Sequence, residues 1–231
     1  MKRNRQDVYE QWQWWGDGRH ERILRRMVPT RMKLWADTVW ADRAVLDVGC
    51  GGGFMVEALA NAGAQVVGLD ASKGAAEQGN NRLESIGFGR PIVYGSATDL
   101  PFDAAQFDHV ICVDVLEHIP QWPIAVNEIA RVLRPGGRFF FDTINRNIIA
   151  RWLGVHLVES ALINWVPPGT HDPKMFIKPA ELNEALRNAG LNPEGTQGIG
   201  MVGVDRKLEP LFGRVPLRTI QYAGTASKPL G

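Results

Sequence analysis

Residues 44–53, Ala-Val-Leu-Asp-Val-Gly-Cys-Gly-Gly-Gly, are a short apolar run that passes directly into a glycine-rich stretch. The run predicts a buried strand, and the apolar spacing of residues 54–61 predicts that a helix follows the glycines. A second apolar run, residues 65–69, ends at Asp70. This order predicts a β-α-β unit of a parallel sheet, in which ligands bind beyond the carboxyl ends of the strands.

The rest of the chain repeats this alternation of strands and helices, which is typical of a parallel sheet covered by helices. Further strands are predicted at 91–94, 107–113 and 138–141, helices at 72–86, 123–133 and 179–189, and weaker extended segments at 192–199 and 215–222. We therefore predict an α/β fold with a seven-stranded, mostly parallel, Rossmann-like sheet in a single domain, residues 1–231.

Two segments lie outside this alternation. Residues 1–40 are expected to form an N-terminal arm (1–18) and a helical cap (19–40), in which Pro29 interrupts the helix or separates a helix pair. Residues 148–175 are expected to form an insert after the fifth strand.

Composition excludes several classes of protein. The 231 residues carry 26 Lys and Arg against 25 Asp and Glu, which argues against a nucleic-acid partner. The two cysteines, Cys50 and Cys112, cannot form a disulfide framework, and residues 1–18 lack the apolar core of a signal peptide. No apolar stretch is long enough to span a bilayer. We expect a cytoplasmic protein, with peripheral membrane contact as an open alternative.

The glycine loop predicts an adenosine cofactor. Gly49 and Gly51 allow a sharp turn and close approach of a ligand, and the Asp70 carboxylate can accept hydrogen bonds from ribose hydroxyls. A dinucleotide fingerprint would need a third glycine where this chain has Phe54. Asp47, just before the loop, favours a ligand that carries an ammonium group. These features favour S-adenosylmethionine.

The chain resembles class I S-adenosylmethionine-dependent methyltransferases, and within them the ubiquinone-pathway O-methyltransferases, which act on polyprenylated catechols. The stretches that carry the resemblance are 46–53, 115–120, 143–147, 168–172 and 176–182. The resemblance implies cofactor contacts by Gly49, Asp70 and Val113, and by Arg31, whose guanidinium can hold the methionine carboxylate. Where many class I enzymes place an aspartate for adenine, this chain has Ser96 and Ala97.

The chemistry is expected after the fourth strand. A catechol hydroxyl has a pKa of about 10, so it needs a base or a metal ion to lose its proton. Asp114, Glu117 and His118 can converge there and match the family's metal site, with Asp in place of its first Glu. Mg²⁺ and Zn²⁺ both suit such ligands. His118 and Glu117 are the predicted catalytic residues; His118 as a metal-free base and a purely structural role remain open.

The insert and the tryptophans suggest a lipid contact. Residues 148–166 are mostly apolar, with Trp152 and Trp165 near the ends, and five of the eight tryptophans precede residue 41. We expect 148–166 to contact the membrane; an internal lid or an oligomer contact remains open. The alternatives for the function are methylation of a soluble phenolic metabolite, a nicotinamide oxidoreductase, and a non-catalytic assembly subunit. The oligomeric state stays undetermined.

Overall fold

The structure is a computed structural model, and it describes residues 7–10, 12–152, 169–207 and 209–230. The helices are α1 (Asp7–Glu10), α2 (Arg19–Leu34), α3 (Phe54–Asn61), α4 (Lys73–Ser85), α5 (Trp122–Val132), α6 (Ile148–Arg151) and α7 (Pro179–Asn188), with a 3-10 turn at Leu116–His118. The strands are β1 (Ala44–Val48), β2 (Gln65–Asp70), β3 (Ile92–Tyr94), β4 (Phe107–Val113), β5 (Leu133–Ile144), β6 (Asn192–Val204), β7 (Pro210–Val215) and β8 (Gln221–Ser227).

These strands form one mixed sheet in the order β3-β2-β1-β4-β5-β8-β6-β7. Strands β1 to β5 are parallel, whereas β8 pairs antiparallel with both β5 and β6. From β1 the chain first proceeds outward through β2 and β3, and then returns to β4 on the other side. The carboxyl ends of β1 and β4 therefore flank the switch point of the sheet, where an open α/β sheet forms its ligand crevice.

Both faces of the sheet are covered by apolar side chains. The three consecutive phenylalanines of β5 show why, since side chains alternate along a strand. Phe139 and Phe141 pack in the core that includes α5 and α7, and Phe140 packs in the opposite core with α2 and α3. All three are fully buried. A strand that is buried on both faces has a continuous apolar run in its sequence, as in a sheet that helices cover on both sides.

The predicted start of α4 is confirmed. The Ser72 hydroxyl accepts a hydrogen bond from the Ala75 N–H at 3.0 Å and thereby caps the helix. The two cysteines are buried free thiols. Within the described ranges, no helix combines the length and apolar character needed to cross a bilayer.

Two details of the prediction are wrong. Pro29 does not interrupt the N-terminal helix: α2 runs through it and ends at Leu34, because the ring lies on the exposed side while Met27 and Leu34 stay packed on the core. The predicted extended segment 215–222 is mainly the loop 216–220 between the end of β7 and the start of β8, and the described sheet has eight strands and not seven. Pro216 directly follows β7 and lacks the N–H that a ladder needs.

Candidate active site

The glycine loop is anchored to the end of the neighbouring strand. The Leu69 carbonyl accepts hydrogen bonds from the N–H groups of Gly49 and Cys50, at 2.7 and 3.1 Å. Gly49 and Gly51 have φ values of 72° and 54°, which a residue with a side chain rarely adopts. Both glycines are therefore required by the turn itself. The loop lies at the carboxyl end of β1, as predicted.

Asp70 holds the same loop. One carboxylate oxygen accepts from the Gly51 N–H at 2.7 Å, and the other accepts from the Ser72 N–H at 2.8 Å. Burial raises the pKa of Asp70, and the two backbone donors oppose that rise. Each oxygen has a further lone pair. Asp70 can therefore organise the loop and still accept from a ligand hydroxyl.

Asp47 is a buried carboxylate near the carboxyl end of β1. It is 1% exposed, and neither oxygen has a hydrogen-bond partner among the described residues. Burial raises its pKa to about 7, although the nearby Arg31 charge opposes the rise. A buried carboxylate is costly unless a cation or donor meets it. The ammonium group of S-adenosylmethionine would supply both, so the residues present fit this cofactor.

Arg31 lies at this site but is committed to two carboxylates. Its Nε donates to Asp142 Oδ2 at 2.7 Å, and its Nη2 contacts both Asp142 Oδ1, at 3.3 Å, and Asp114 Oδ2. Burial opposes its charge, yet its pKa is raised because both aspartates stabilise the guanidinium. Arg31 thus fastens α2 to the ends of β4 and β5. Its predicted contact with the methionine carboxylate stays a prediction.

Asp114 turns the chain after β4. Its φ is 54°, in the left-handed region, and its N–H donates to Asp142 Oδ1 at 2.8 Å. Its carboxylate is occupied by Arg31 and by Gln221, whose Nε2 donates at 2.5 Å. Asp114 is therefore part of a polar network that joins α2, β4, β5 and β8.

The Glu117 side chain is bound to β5. It is 1% exposed; Oε2 accepts from the Thr143 hydroxyl at 2.7 Å, and Oε1 has no partner among the described residues. Burial, followed by the charge of Asp114, raises the pKa of Glu117 to about 8. The side chain is thus mostly a neutral carboxylic acid at pH 7.

His118 is half-buried and contacts two other rings. The Tyr9 ring centroid is 5.9 Å from that of His118, and the His171 centroid is 5.3 Å away. Burial lowers the pKa of His118 to about 3, and the neighbouring His171 contributes. The imidazole is neutral at physiological pH and has a nitrogen able to accept a proton.

The predicted metal ligands do not fit a metal ion in this arrangement. Asp114 is bound to Arg31 and Gln221, while Glu117 is bound to Thr143 on β5. In the part of the chain that the structure describes, no three His, Cys, Asp or Glu side chains are placed to hold a metal. The predicted Mg²⁺ or Zn²⁺ site is therefore not supported.

The remaining predicted cofactor residues lie where expected along the sheet. Val113 ends β4 and is half-buried. The Ser96 hydroxyl is exposed in the loop after β3 and pairs with the Thr98 hydroxyl at 2.8 Å; Ala97 is half-buried beside it. Their contact with adenine stays a prediction.

Sequence reasoning missed several residues at this edge. Asp142 directly follows the apolar run 138–141 and was not singled out, whereas Thr143 begins the 143–147 stretch that carried the family resemblance. His171 stands in the 168–172 stretch that carried the family resemblance, and Tyr9 stands in the aromatic arm; those two signals could have identified them.

The fold and the site together identify the class of protein. Residues 46–141 match the family model described as "Methyltransferase domain". A protein from Pyrococcus horikoshii has the same fold, with a TM-score of 0.71, 19% identity, and coverage of 97% of this chain and 99% of that one. The magnesium protoporphyrin IX methyltransferase of Synechocystis, solved with bound SAH (S-adenosylhomocysteine), has a TM-score of 0.67, 19% identity, and coverage of 97% and 95%. This is a class I methyltransferase fold.

Curated relatives narrow the class to a family. The ubiquinone biosynthesis O-methyltransferase of Thiobacillus denitrificans is 39% identical over 80% of this chain and 81% of its own length. That of Methylococcus capsulatus is 38% identical over 94% of this chain and 90% of its own length. The chain belongs to the family of ubiquinone biosynthesis O-methyltransferases, and it is an S-adenosylmethionine-dependent enzyme. The nicotinamide oxidoreductase and assembly-subunit alternatives are thereby disfavoured.

Proposed function

We propose that this enzyme methylates a hydroxyl of a polyprenylated catechol, a precursor of a quinone, with S-adenosylmethionine as the methyl donor. The observation that carries the proposal is the neutral imidazole of His118, which follows β4 beside the switch-point crevice. The curated relatives support the choice of acceptor, since their names place them in ubiquinone biosynthesis.

The cofactor supplies an electrophilic methyl group on a sulfonium. In the proposal, Asp47 receives its ammonium and Asp70 its ribose hydroxyls. Gly49 and Gly51 form the tight turn that brings the loop backbone to the carboxyl end of β1, where the cofactor would lie. Ser96 and Ala97 would contact the adenine, and Val113 and Arg31 are the other expected cofactor contacts. All of these residues except Arg31, which is on α2, lie at the carboxyl ends of β1 to β4.

His118 then acts on the acceptor. One ring nitrogen of the imidazole would accept the hydroxyl proton as the catechol oxygen takes the methyl group, whose bond to sulfur breaks. The leaving group would be a neutral thioether, so no residue is needed as an acid. Because burial disfavours a free imidazolium, we expect proton transfer to accompany methyl transfer and not to precede it. Glu117, held by Thr143, positions the short turn that presents His118. We assign no step to a metal ion, since the donors do not fit one.

The start of the insert supports membrane contact. Ile148 and Trp152 are 74% and 66% exposed, and Leu217, in the loop before β8, is 70% exposed. The side-chain amides of Asn145 and Asn147 donate to carbonyls of that loop at 2.6 Å, so both segments belong to one surface. Exposed apolar side chains in one area are typical of a lipid or protein contact. Residues 153–168, which include Trp165, lie outside the described residues.

Methyl transfer from radiolabelled S-adenosylmethionine to a prenylated catechol, with and without liposomes, tests the proposal. We expect turnover on the prenylated acceptor to exceed that on the same catechol without its tail, and the excess to require liposomes. Equal turnover on both acceptors would favour the soluble phenolic alternative. No transfer to either would contradict the proposed acceptor.

A further inference from the structure

The described part of the tryptophan-rich arm, residues 7–10 and 12–18, is fastened along α4. The Glu10 carboxylate accepts hydrogen bonds from the Lys73 and Gly74 N–H groups, at 3.1 and 2.9 Å, at the start of α4. One turn further, the Gln78 side chain accepts from the Trp14 N–H at 3.0 Å and donates to the Trp12 carbonyl at 2.7 Å. Four hydrogen bonds therefore hold the arm along one side of this helix.

The arm then covers the glycine loop. The Trp14 side chain is 8% exposed, and a Cβ built on Gly51 or Gly52 would lie 2.4 Å from its atoms. The indole N–H of Trp15 donates to the Gly52 carbonyl at 2.9 Å. The indole of Trp14 therefore lies directly on the backbone that the fold presents to an adenosine cofactor.

The same arm reaches the other side of the crevice. Tyr9 packs against Trp14, with ring centroids 6.5 Å apart, and against His118, with centroids 5.9 Å apart. Trp14 belongs to the side built by β1 and β2, and His118 follows β4. Tyr9 and Trp14 together therefore span the switch point between β1 and β4.

We propose that Tyr9 and Trp14 are cofactor-site residues, and that the arm is a roof that lifts off the glycine loop to admit the S-adenosyl group and then closes over it. The inference rests on the proposed function for the identity of the ligand. Two structural observations support it. The arm touches both walls of the crevice, and it is held on α4 by hydrogen bonds at partly exposed positions, while Trp14 packs with Phe54 and Ala75.

The test measures binding of SAH to the full chain by calorimetry and its dissociation by stopped-flow fluorescence. Gln78→Ala removes two arm anchors, and alanine suits the helix on which Gln78 lies. We expect the dissociation constant to rise about tenfold, which is about 1.4 kcal/mol, mainly through faster dissociation. Trp14→Ala should also raise the dissociation constant of SAH. Glu84→Ala, in the last turn of the same helix, breaks an exposed pair with Arg90, so it is the matched control and should bind as the wild type does.

A second measurement keeps the test independent of how the tryptophan variant folds. Limited chymotrypsin cleavage at the arm aromatics of the wild type, located by mass spectrometry, should slow when SAH is saturating. Unchanged affinity and dissociation in Gln78→Ala, together with cleavage that SAH does not slow, would overturn the roof. A wild-type chain that binds no SAH would instead contradict the proposed function, and the inferred role of the arm would be contradicted with it.

Discussion

Arg31 and Asp142 form a fully buried ion pair across 111 residues of sequence. The guanidinium Nε lies 2.7 Å from Asp142 Oδ2, and the side chains are 4% and 0% exposed. Asp142 Oδ1 also accepts the Asp114 N–H at 2.8 Å. One carboxylate thus fixes both the helix that carries Arg31 and the left-handed turn that leads to His118.

Breaking this pair should destabilise the fold. Asp142→Asn would leave a buried guanidinium with Asp114 as its one charged partner in the pair network, so we expect unfolding free energy to fall by about 3 kcal/mol in urea titration. Arg90→Ala breaks exposed pairs with Glu77 and Glu84 and should cause no measurable loss. Equal stability of Asp142→Asn and wild type would show that the pair is dispensable for folding.

Cofactor affinity should depend on pH through Asp47. Burial raises the pKa of this carboxyl to about 7, and the ammonium of the ligand requires the ionised form. The affinity for SAH should therefore increase as pH rises from about 5.5 to 7.5, approaching tenfold per pH unit below the pKa. Calorimetry across that range checks the slope. Asp47→Asn should bind weakly at every pH, and a slope that persists in this variant would assign the titration to another group.

Asp70 should contribute to both the loop and the ligand. Asp70→Ala removes the acceptor of the Gly51 N–H together with the expected ribose contact, so we expect SAH binding to weaken by about 1.5–3 kcal/mol. Asp99→Ala, an exposed acid of the loop after β3, is a suitable control. Unchanged calorimetric affinity in Asp70→Ala would remove this residue from the cofactor site.

Loss of His118 should affect turnover and spare cofactor binding. We expect His118→Ala to lower the rate of methyl transfer about 100-fold or more, because the acceptor proton has no nearby base, while the dissociation constant of SAH stays close to wild type. Rapid-quench assays of a single turnover measure the chemical step directly. A rate within a factor of a few of wild type would assign the proton to another group, and His171 would be examined next.

The surface formed by the start of the insert should bind lipid. Replacing Ile148 and Trp152 by serine removes two exposed apolar side chains, each worth about 1.5–3 kcal/mol when fully buried in a membrane. When liposomes are sedimented, we expect the variant to remain in the supernatant. Its turnover should fall on long-tailed catechols and stay unchanged on short-tailed ones. Val39→Ser changes an equally exposed residue near the opposite end of β1 and should sediment normally. Equal loss on short-tailed acceptors would identify an internal lid instead.

Local sequence patterns were sufficient to predict the first half of the sheet. The apolar run of β1, its glycines, the acid after β2 and the cap at Ser72 each depend on neighbours in sequence, and the structure has them as predicted. The break between β7 and β8 was missed because the extended pattern continues across Pro216, and α2 runs through Pro29 because packing on both sides outweighs the missing hydrogen bond.

The sequence by itself determined the sheet, the glycine loop with Asp47 and Asp70, and the position of His118 after β4, because strand periodicity and chain order place these residues at one edge. The tertiary structure alone decided where the side chains point. Asp114 was expected beside a metal and is instead bound to Arg31, since the left-handed turn and the carboxylate of Asp142 direct it there. The aromatic arm lies over the loop because contacts with α4, distant in sequence, hold it, and no local pattern encodes such contacts.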